Sequence, residues 1–240
     1  MTLDRFVLLM GLLLLTGTTA QAASFNAPGN DTLQGALTRA APDANPKVIE
    51  LAVRAAQCRM AQGYDTTKRL AIIDYSLPST AQRLWIFDLQ QRTLLFHELV
   101  AHGRNSGENM AKQFSNRNQS MASSLGLYST RSTYIGHNGY SLRMEGLEPG
   151  FNDNALDRAL VIHGAPYVDQ NLARTQGRIG RSLGCPAVRP AIAHQVIDAL
   201  KEGQLLFSYY PEPSWLGKSA FVNCARDTVA STAGSNTSRN

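Results

Sequence analysis

The chain has 240 residues, of which 17% are charged and 43% hydrophobic, and it carries a formal net charge of +5 at pH 7. This mixture excludes a disordered polymer, whose low hydrophobicity could not support a core, and the length suits one sizeable domain with or without a small extension. The basic balance fits an anionic partner such as cell wall, membrane surface or nucleic acid, and the sign alone does not choose among them.

Phe6 to Leu15 is an almost unbroken apolar run, preceded by Arg5 and followed by the small-x-small pattern Ala20-Gln21-Ala22. These features predict an export signal over residues 1–22, cleaved after Ala22. The run is about ten residues, short of the roughly 20 that span a bilayer, so no stable membrane insertion is expected. Residues 23–66 read as an N-terminal helical extension. It holds a short helical stretch and then a longer helix capped by Asn45, with Pro46 in its first turn and Gly63 at its end. Cys58 lies on the apolar face of that helix with Val48, Leu51, Ala52 and Ala55.

From residue 67 the pattern changes to a domain expected to reach residue 222. Leu70 to Tyr75, Arg83 to Asp88 and Thr93 to Ala101 are rich in β-forming residues and separated by turn-like "LPSTAQ" and "LQQR". Residues 102–124 are polar with little periodicity and read as one long surface loop, a length that is usually functional or mobile. Strands are expected again at Leu125 to Ile135 and Tyr140 to Leu147. The apolar run Ala159 to Ile162 reads as a strand buried on both faces, ending on His163-Gly164. An amphipathic helix over Pro190 to Leu200 and a last strand in "QLLFSYY" follow, and a small, polar tail over 223–240 is expected to be disordered. The fold class is mainly β (α+β) with a few helices.

Three cysteines are an odd set in the oxidising compartment that an export signal implies. Either Cys58 pairs with Cys224 and Cys185 is left free, or all three are reduced, with Cys58 a buried inert thiol. Cys185 stands in "GRSLGCP". Gly184 allows the backbone to approach a carbonyl closely and Pro186 fixes the chain on the other side. Such a turn offers the amides of Leu183, Gly184 and Cys185 as oxyanion donors for a thiolate nucleophile. Arg174, Arg178, Arg181 and Arg189 surround it with no acidic residue between them, a field expected to lower the thiol pKa and attract a carboxylate.

His163, at the end of the predicted buried strand and 22 positions before Cys185, is the candidate base. Its position alone would suit a core histidine; the pairing with the cysteine turn favours catalysis. His97 reads as structural and His194 as solvated on the polar side of its helix. His102 and His137 fall in loops and are candidates to line a substrate cleft, together with Tyr134. No HExxH or paired CxxC pattern is present, so no metal site is expected.

A strand ending in His-Gly and a loop running to Ser-x-Gly-Cys resemble the signature of YkuD-type L,D-transpeptidases. The blocks "HGRNSG", "YSLRMEGLEPGFNDNALDRALVIHGAPYV" and "GRIGRSLGCPAV" resemble in particular the murein L,D-transpeptidase catalytic domain family, over roughly residues 68–210. The resemblance implies a β-sandwich or barrel catalytic domain with Cys185 as acyl-accepting nucleophile. It also implies His163 as base, oriented by the Gly164 carbonyl, with Ser182 and the amides at Gly184 and Cys185 completing the motif. Two positions depart from the commoner signature: Leu183 replaces a histidine, and Ala187 stands where arginine or asparagine is usual. Arg181, Arg189 and Arg178 are therefore candidates to anchor the substrate.

The implied partners are peptidoglycan peptide stems as donor and acceptor, in the periplasm or envelope of a bacterium, with no nucleic acid and no cofactor. Carbapenems are the implied inhibitors. Three rivals are a carboxypeptidase or amidase using the same thioester, a papain-like or NlpC-type peptidase, and a non-catalytic wall-binding protein. In the peptidases the cysteine precedes its histidine, and here only His194 follows Cys185.

Overall fold

The structure is a computed structural model and describes residues 32–63 and 67–224. The predicted export signal, and the expected tail from residue 225 onward, lie outside these residues. Helix α1 (Leu33–Ala40) starts where the Thr32 hydroxyl accepts the Gly35 amide at 3.1 Å. Helix α2 (Pro46–Ala61) starts where the Asn45 side chain accepts the Lys47 amide at 2.9 Å, and Pro46 sits at its first turn, where no amide partner is needed. Its apolar stripe, Val48 to Cys58, is buried almost throughout.

Eight strands follow: β1 (Arg69–Asp74), β2 (Leu84–Asp88), β3 (Thr93–Glu98), β4 (Gly126–Gly136), β5 (Gly139–Gly146), β6 (Val161–Gly164), β7 (Ala187–Val188) and β8 (Leu205–Tyr209). They form one mixed sheet in the order β3-β2-β1-β8-β4-β5-β6-β7. Pairs β1–β8 and β6–β7 are parallel and the rest antiparallel. The two edges then approach each other. Ala101, just past β3, bridges Ala187 in β7 with its amide 2.9 Å from the Ala187 carbonyl, and Gly103 bridges Ser182. The result is a nearly closed barrel, which leaves few unpaired edge groups.

Helices α3 (Gln170–Gln176), α4 (Pro190–Leu200) and α5 (Pro213–Lys218) complete the fold. Helix α2 packs on β1 and β8, and α4 on β1, β5 and β6. This explains why β1 and β8 are buried at nearly every residue rather than alternately. Side chains of α1 and α2 belong to the same apolar cluster as the sheet. Cys58, near the end of α2, is disulfide-bonded to Cys224 with Cα atoms 6.0 Å apart, in a helical turn over residues 220–224. That bond restrains the unfolded chain across 166 positions. Among the described residues, no helix is long and apolar enough to cross a membrane.

Several elements differ from the sequence reading: β7 and α5 carried no clear pattern, and residues 223 and 224, expected in a disordered tail, belong to a helical turn that the Cys224 disulfide ties down. The strand expected from Ala159 begins at Val161, because Ala159 closes a turn with φ +51° and its amide bonds to Leu156. Helix α3 has little apolar periodicity to announce it; Asp169 caps its start and Gly177, at φ +69°, its end.

Candidate active site

Strands β6 and β7 run parallel with His163 opposite Ala187, which sets Cys185 two residues before the position facing the histidine. The turn that presents the thiol is held by Ser182. Its hydroxyl donates to the Cys185 carbonyl at 2.6 Å and accepts the Gly184 amide at 3.0 Å, while its own amide donates to the His102 carbonyl at 3.0 Å. Gly184 has φ +127°, and a Cβ there would lie 3.0 Å from the Ala122 carbonyl oxygen and 3.2 Å from the Arg158 guanidinium. Conformation and space both require glycine.

Cys185 is half-buried and is the free cysteine, the other two being bridged. Its Sγ accepts the Val161 amide at 3.4 Å and lies 3.8 Å from the Ala159 carbonyl oxygen. Burial pushes the thiol pKa up, and the Val161 amide and the Arg158 cation offset this only in part. The expectation that neighbouring arginines lower it is therefore corrected. Arg178 and Arg181 pair with Glu108 at 3.2 and 2.8 Å, and Arg189 holds Glu98 through two bonds of 2.9 and 2.6 Å. Arg174 bonds Asn171. The positive run is real in sequence, but carboxylates from two distant segments neutralise most of it.

His163 is buried, with Nδ1 3.0 Å from the Gly164 carbonyl oxygen. A carbonyl only accepts, so Nδ1 carries the hydrogen and Nε2 keeps its lone pair. Burial lowers the pKa of the ring below its ordinary value, so the imidazole is neutral at pH 7.

The other candidates divide. His102 has no exposed surface and cannot line a cleft, a correction to its sequence assignment. Its Nδ1 accepts from Arg83 at 2.6 Å and its Nε2 donates to the Gly107 carbonyl at 3.2 Å. Burial and the Arg83 charge push its pKa down to about 4. Through its own carbonyl it holds Ser182, so it supports the cysteine turn from behind. His137 stands exposed at the two-residue tip of the β4–β5 hairpin. His194 is exposed, as expected for the polar side of its helix, and stacks on Tyr140 at 4.8 Å.

Tyr134 lines a cavity of about 190 Å³ with Arg143, Leu156, Ala159, Leu160 and Val161. A second cavity of about 350 Å³ is lined by Asn118, Gln119, Met121, Asp157, Arg158 and Leu183. Their linings are adjacent in sequence over residues 156–161, the segment whose Ala159 and Val161 touch the thiol. Leu183, two residues before Cys185, is 63% exposed and, unlike the histidine of the commoner signature, places no second ring beside the thiol turn.

Arg158 was missed by sequence reasoning. Its guanidinium bonds the Ser115 and Ala122 carbonyls, both at 2.6 Å, the Ser120 hydroxyl at 3.1 Å, and the Ser124 hydroxyl. It thus fixes the loop against which Gly184 packs. Its one signal was its place two residues before the buried Leu160 run. Glu98 and Glu108 left no signal, because their arginines lie 70 or more positions away.

The fold is thus an almost closed mixed barrel with a free thiol on a glycine turn, two residues before the position paired with a carbonyl-oriented histidine. A sequence-family profile described as "L,D-transpeptidase catalytic domain" matches residues 40–209. The chain belongs to that family. Solved structures that resemble it include an L,D-transpeptidase from Mycobacterium smegmatis (13% identity, 60% of this chain and 59% of that one, TM-score 0.38). L,D-transpeptidase 3 from Mycobacterium tuberculosis is similar at 12% identity, over 60% of this chain and 61% of that one, with TM-score 0.37. An L,D-transpeptidase from Stackebrandtia nassauensis is similar at 16% identity, over 68% of each chain, with TM-score 0.34. The chain spans about three fifths of the length of the two mycobacterial relatives. No curated protein matches its sequence.

Proposed function

We propose that this protein is a cysteine-dependent peptidoglycan L,D-transpeptidase. The observation that carries the reading is the arrangement at Cys185: a free, half-buried thiol on the Gly184 turn, two residues from the position paired with a neutral His163. With the thiol raised and the imidazole lowered, the resting pair is uncharged. The thiol proton passes to His163 Nε2 as Sγ attacks the carbonyl of the third residue of a tetrapeptide stem. The amides of Gly184 and Cys185 receive the oxyanion. Collapse breaks the C–N bond, and His163 returns the proton to the departing D-alanine amine. A side-chain amine of a second stem then attacks the thioester. Its proton goes to His163, the S–C bond breaks, and the sulfur regains a proton as the 3–3 crosslink forms. No cofactor takes part in this sequence.

The same reading places the protein in the bacterial periplasm or envelope, cleaved after Ala22, and the Cys58–Cys224 disulfide supports an oxidising compartment. Carbapenems, whose strained amide can acylate the same thiol, are the proposed inhibitors.

Intact-mass spectrometry on the mature protein tests the proposal, with a tetrapeptide muropeptide, a carbapenem, and Cys185→Ala as control. Adducts on the native protein alone, with D-alanine released, are the expected result. The muropeptide products then separate crosslinking from hydrolysis. A folded, reduced protein that forms no adduct and releases no D-alanine overturns the reading and leaves a wall-binding role.

A further inference from the structure

Three of the arginines that sequence places around Cys185 are held by carboxylates, and a cation without one stands in the sheet, at Arg143. Arg143 lies on β5 directly opposite Val161, whose amide touches the Cys185 sulfur at 3.4 Å. It is exposed and walls the 190 Å³ cavity that also contains Ala159 and Val161. Its guanidinium sits 4.1 Å above the centre of the Tyr134 ring and makes one polar contact, to the Ser132 hydroxyl at 3.4 Å. None of the ion pairs among the described residues includes it.

The neighbouring strand accounts for this isolation. The register of β4 against β5 shifts between Thr130 and Thr133. Such a bulge re-aims the side chains within it. Arg131 takes the Glu145 carboxylate, so the acid nearest to Arg143 along its own strand is already held. Stacking on Tyr134 fixes the plane of the Arg143 guanidinium without neutralising it. A planar cation, oriented in advance and lacking a carboxylate, in the wall of a cavity also lined by Ala159 and Val161, whose backbones touch the Cys185 sulfur, is built to receive a carboxylate in bidentate fashion.

Resting on the functional reading above, we infer that Arg143, oriented by Tyr134, anchors a carboxylate of the peptidoglycan stem beside Cys185, and that this cavity selects stems by that charge. Arg178, Arg181 and Arg189 do not supply this anchor, because Glu108 and Glu98 hold them.

The test is binding to the Cys185→Ala protein, which removes turnover from the measurement. Calorimetry compares a synthetic tetrapeptide stem bearing free carboxylates with the same stem carrying carboxamides. The free stem is expected to bind about tenfold tighter, a margin in the range of one charge-assisted pair. Arg143→Gln in that background removes the margin by weakening the free stem, and leaves the amidated stem unchanged. Arg143→Lys keeps part of it, since lysine retains the charge without the fork. A margin that persists undiminished in Arg143→Gln overturns the anchor alone. Failure of either stem to bind overturns the anchor together with the functional reading on which it rests.

Discussion

The cleft at Cys185 has two walls that use arginine in opposite ways. One is made of loop: residues 102–124 and the turn that carries the cysteine. The other is the sheet face of β4, β5 and β6. In the sheet the backbone carbonyls are met by neighbouring strands. In the loop they are not, and guanidinium groups stand in. Arg83, fully buried, bonds the Val100 and Leu77 carbonyls just outside the loop and the His102 ring at its start. Arg158 bonds those of Ser115 and Ala122, and Arg181 those of Arg104 and Gly107. Buried or half-buried carbonyls must find donors, so the wall without a ladder uses Arg158 and Arg181 as structure. The wall with a ladder can leave Arg143 available for an anion.

Breaking the loop wall at Arg158 should have the largest effect. Arg158→Met keeps the aliphatic stem and removes every donor, which strands the Ala122 carbonyl beside Gly184, leaves the Ser115 carbonyl with the Ser124 hydroxyl alone, and frees the Ser120 hydroxyl. We expect a loss of about 3–4 kcal/mol in chemical denaturation, the cost of several unsatisfied polar groups with partial relaxation. The cation that partly restrains the Cys185 pKa is lost as well. The pH midpoint of Cys185 alkylation by iodoacetamide, expected above the ordinary thiol value because burial raises the pKa, should then move higher still. A variant with unaltered stability and an unaltered alkylation profile would show that the loop holds itself.

His102 offers a probe of the same wall through pH. Its folded pKa is about 4, against an ordinary value of 6.5. As pH falls from 6.5 toward 4 the unfolded chain takes up a proton that the folded chain refuses, so this contribution to stability is complete above 6.5 and declines through that window. Linkage over the interval amounts to about 3 kcal/mol. The difference in stability between wild type and His102→Gln, followed from pH 7.5 to 4, should therefore shrink as the solution is acidified. A pH-independent difference would mean that the ring is not held neutral between Arg83 and Gly107.

What could be read from sequence follows the same division. The strands, the two long helices, His163 at the end of a buried strand and the glycine turn at Cys185 all rest on short-range patterns: apolar runs, caps and a glycine next to a proline. The disulfide remained one of two alternatives, since Cys58 suits a core thiol equally well. The charge state of the arginine run depended on Glu98 and Glu108, which only the folded chain brings near. His102 looked like a loop residue because "HGRNSG" is polar, yet the loop folds over it and Arg83 reaches it from the end of the preceding turn, just before β2. Arg143 carried no mark either, because its availability depends on a bulge in the adjacent strand.

The smallest effect is also the one that most directly converts one wall into the other. Glu108 is 70% exposed at its side chain and pairs with Arg178 and Arg181. Glu108→Gln should change stability by less than about 1 kcal/mol, as exposed pairs usually do. It leaves two guanidinium groups near the cysteine turn without their carboxylate. The ratio of Cys185 alkylation rates, anionic iodoacetate over neutral iodoacetamide, should then rise by about two- to threefold at low ionic strength and return to the wild-type value at about 0.5 M salt, where screening is short-ranged. A salt-sensitive rise would mean that the loop arginines are electrostatically silenced by Glu108 alone. An unchanged ratio would mean that their charge does not reach the sulfur even when released, which leaves the sheet wall as the electrostatic side of the cleft.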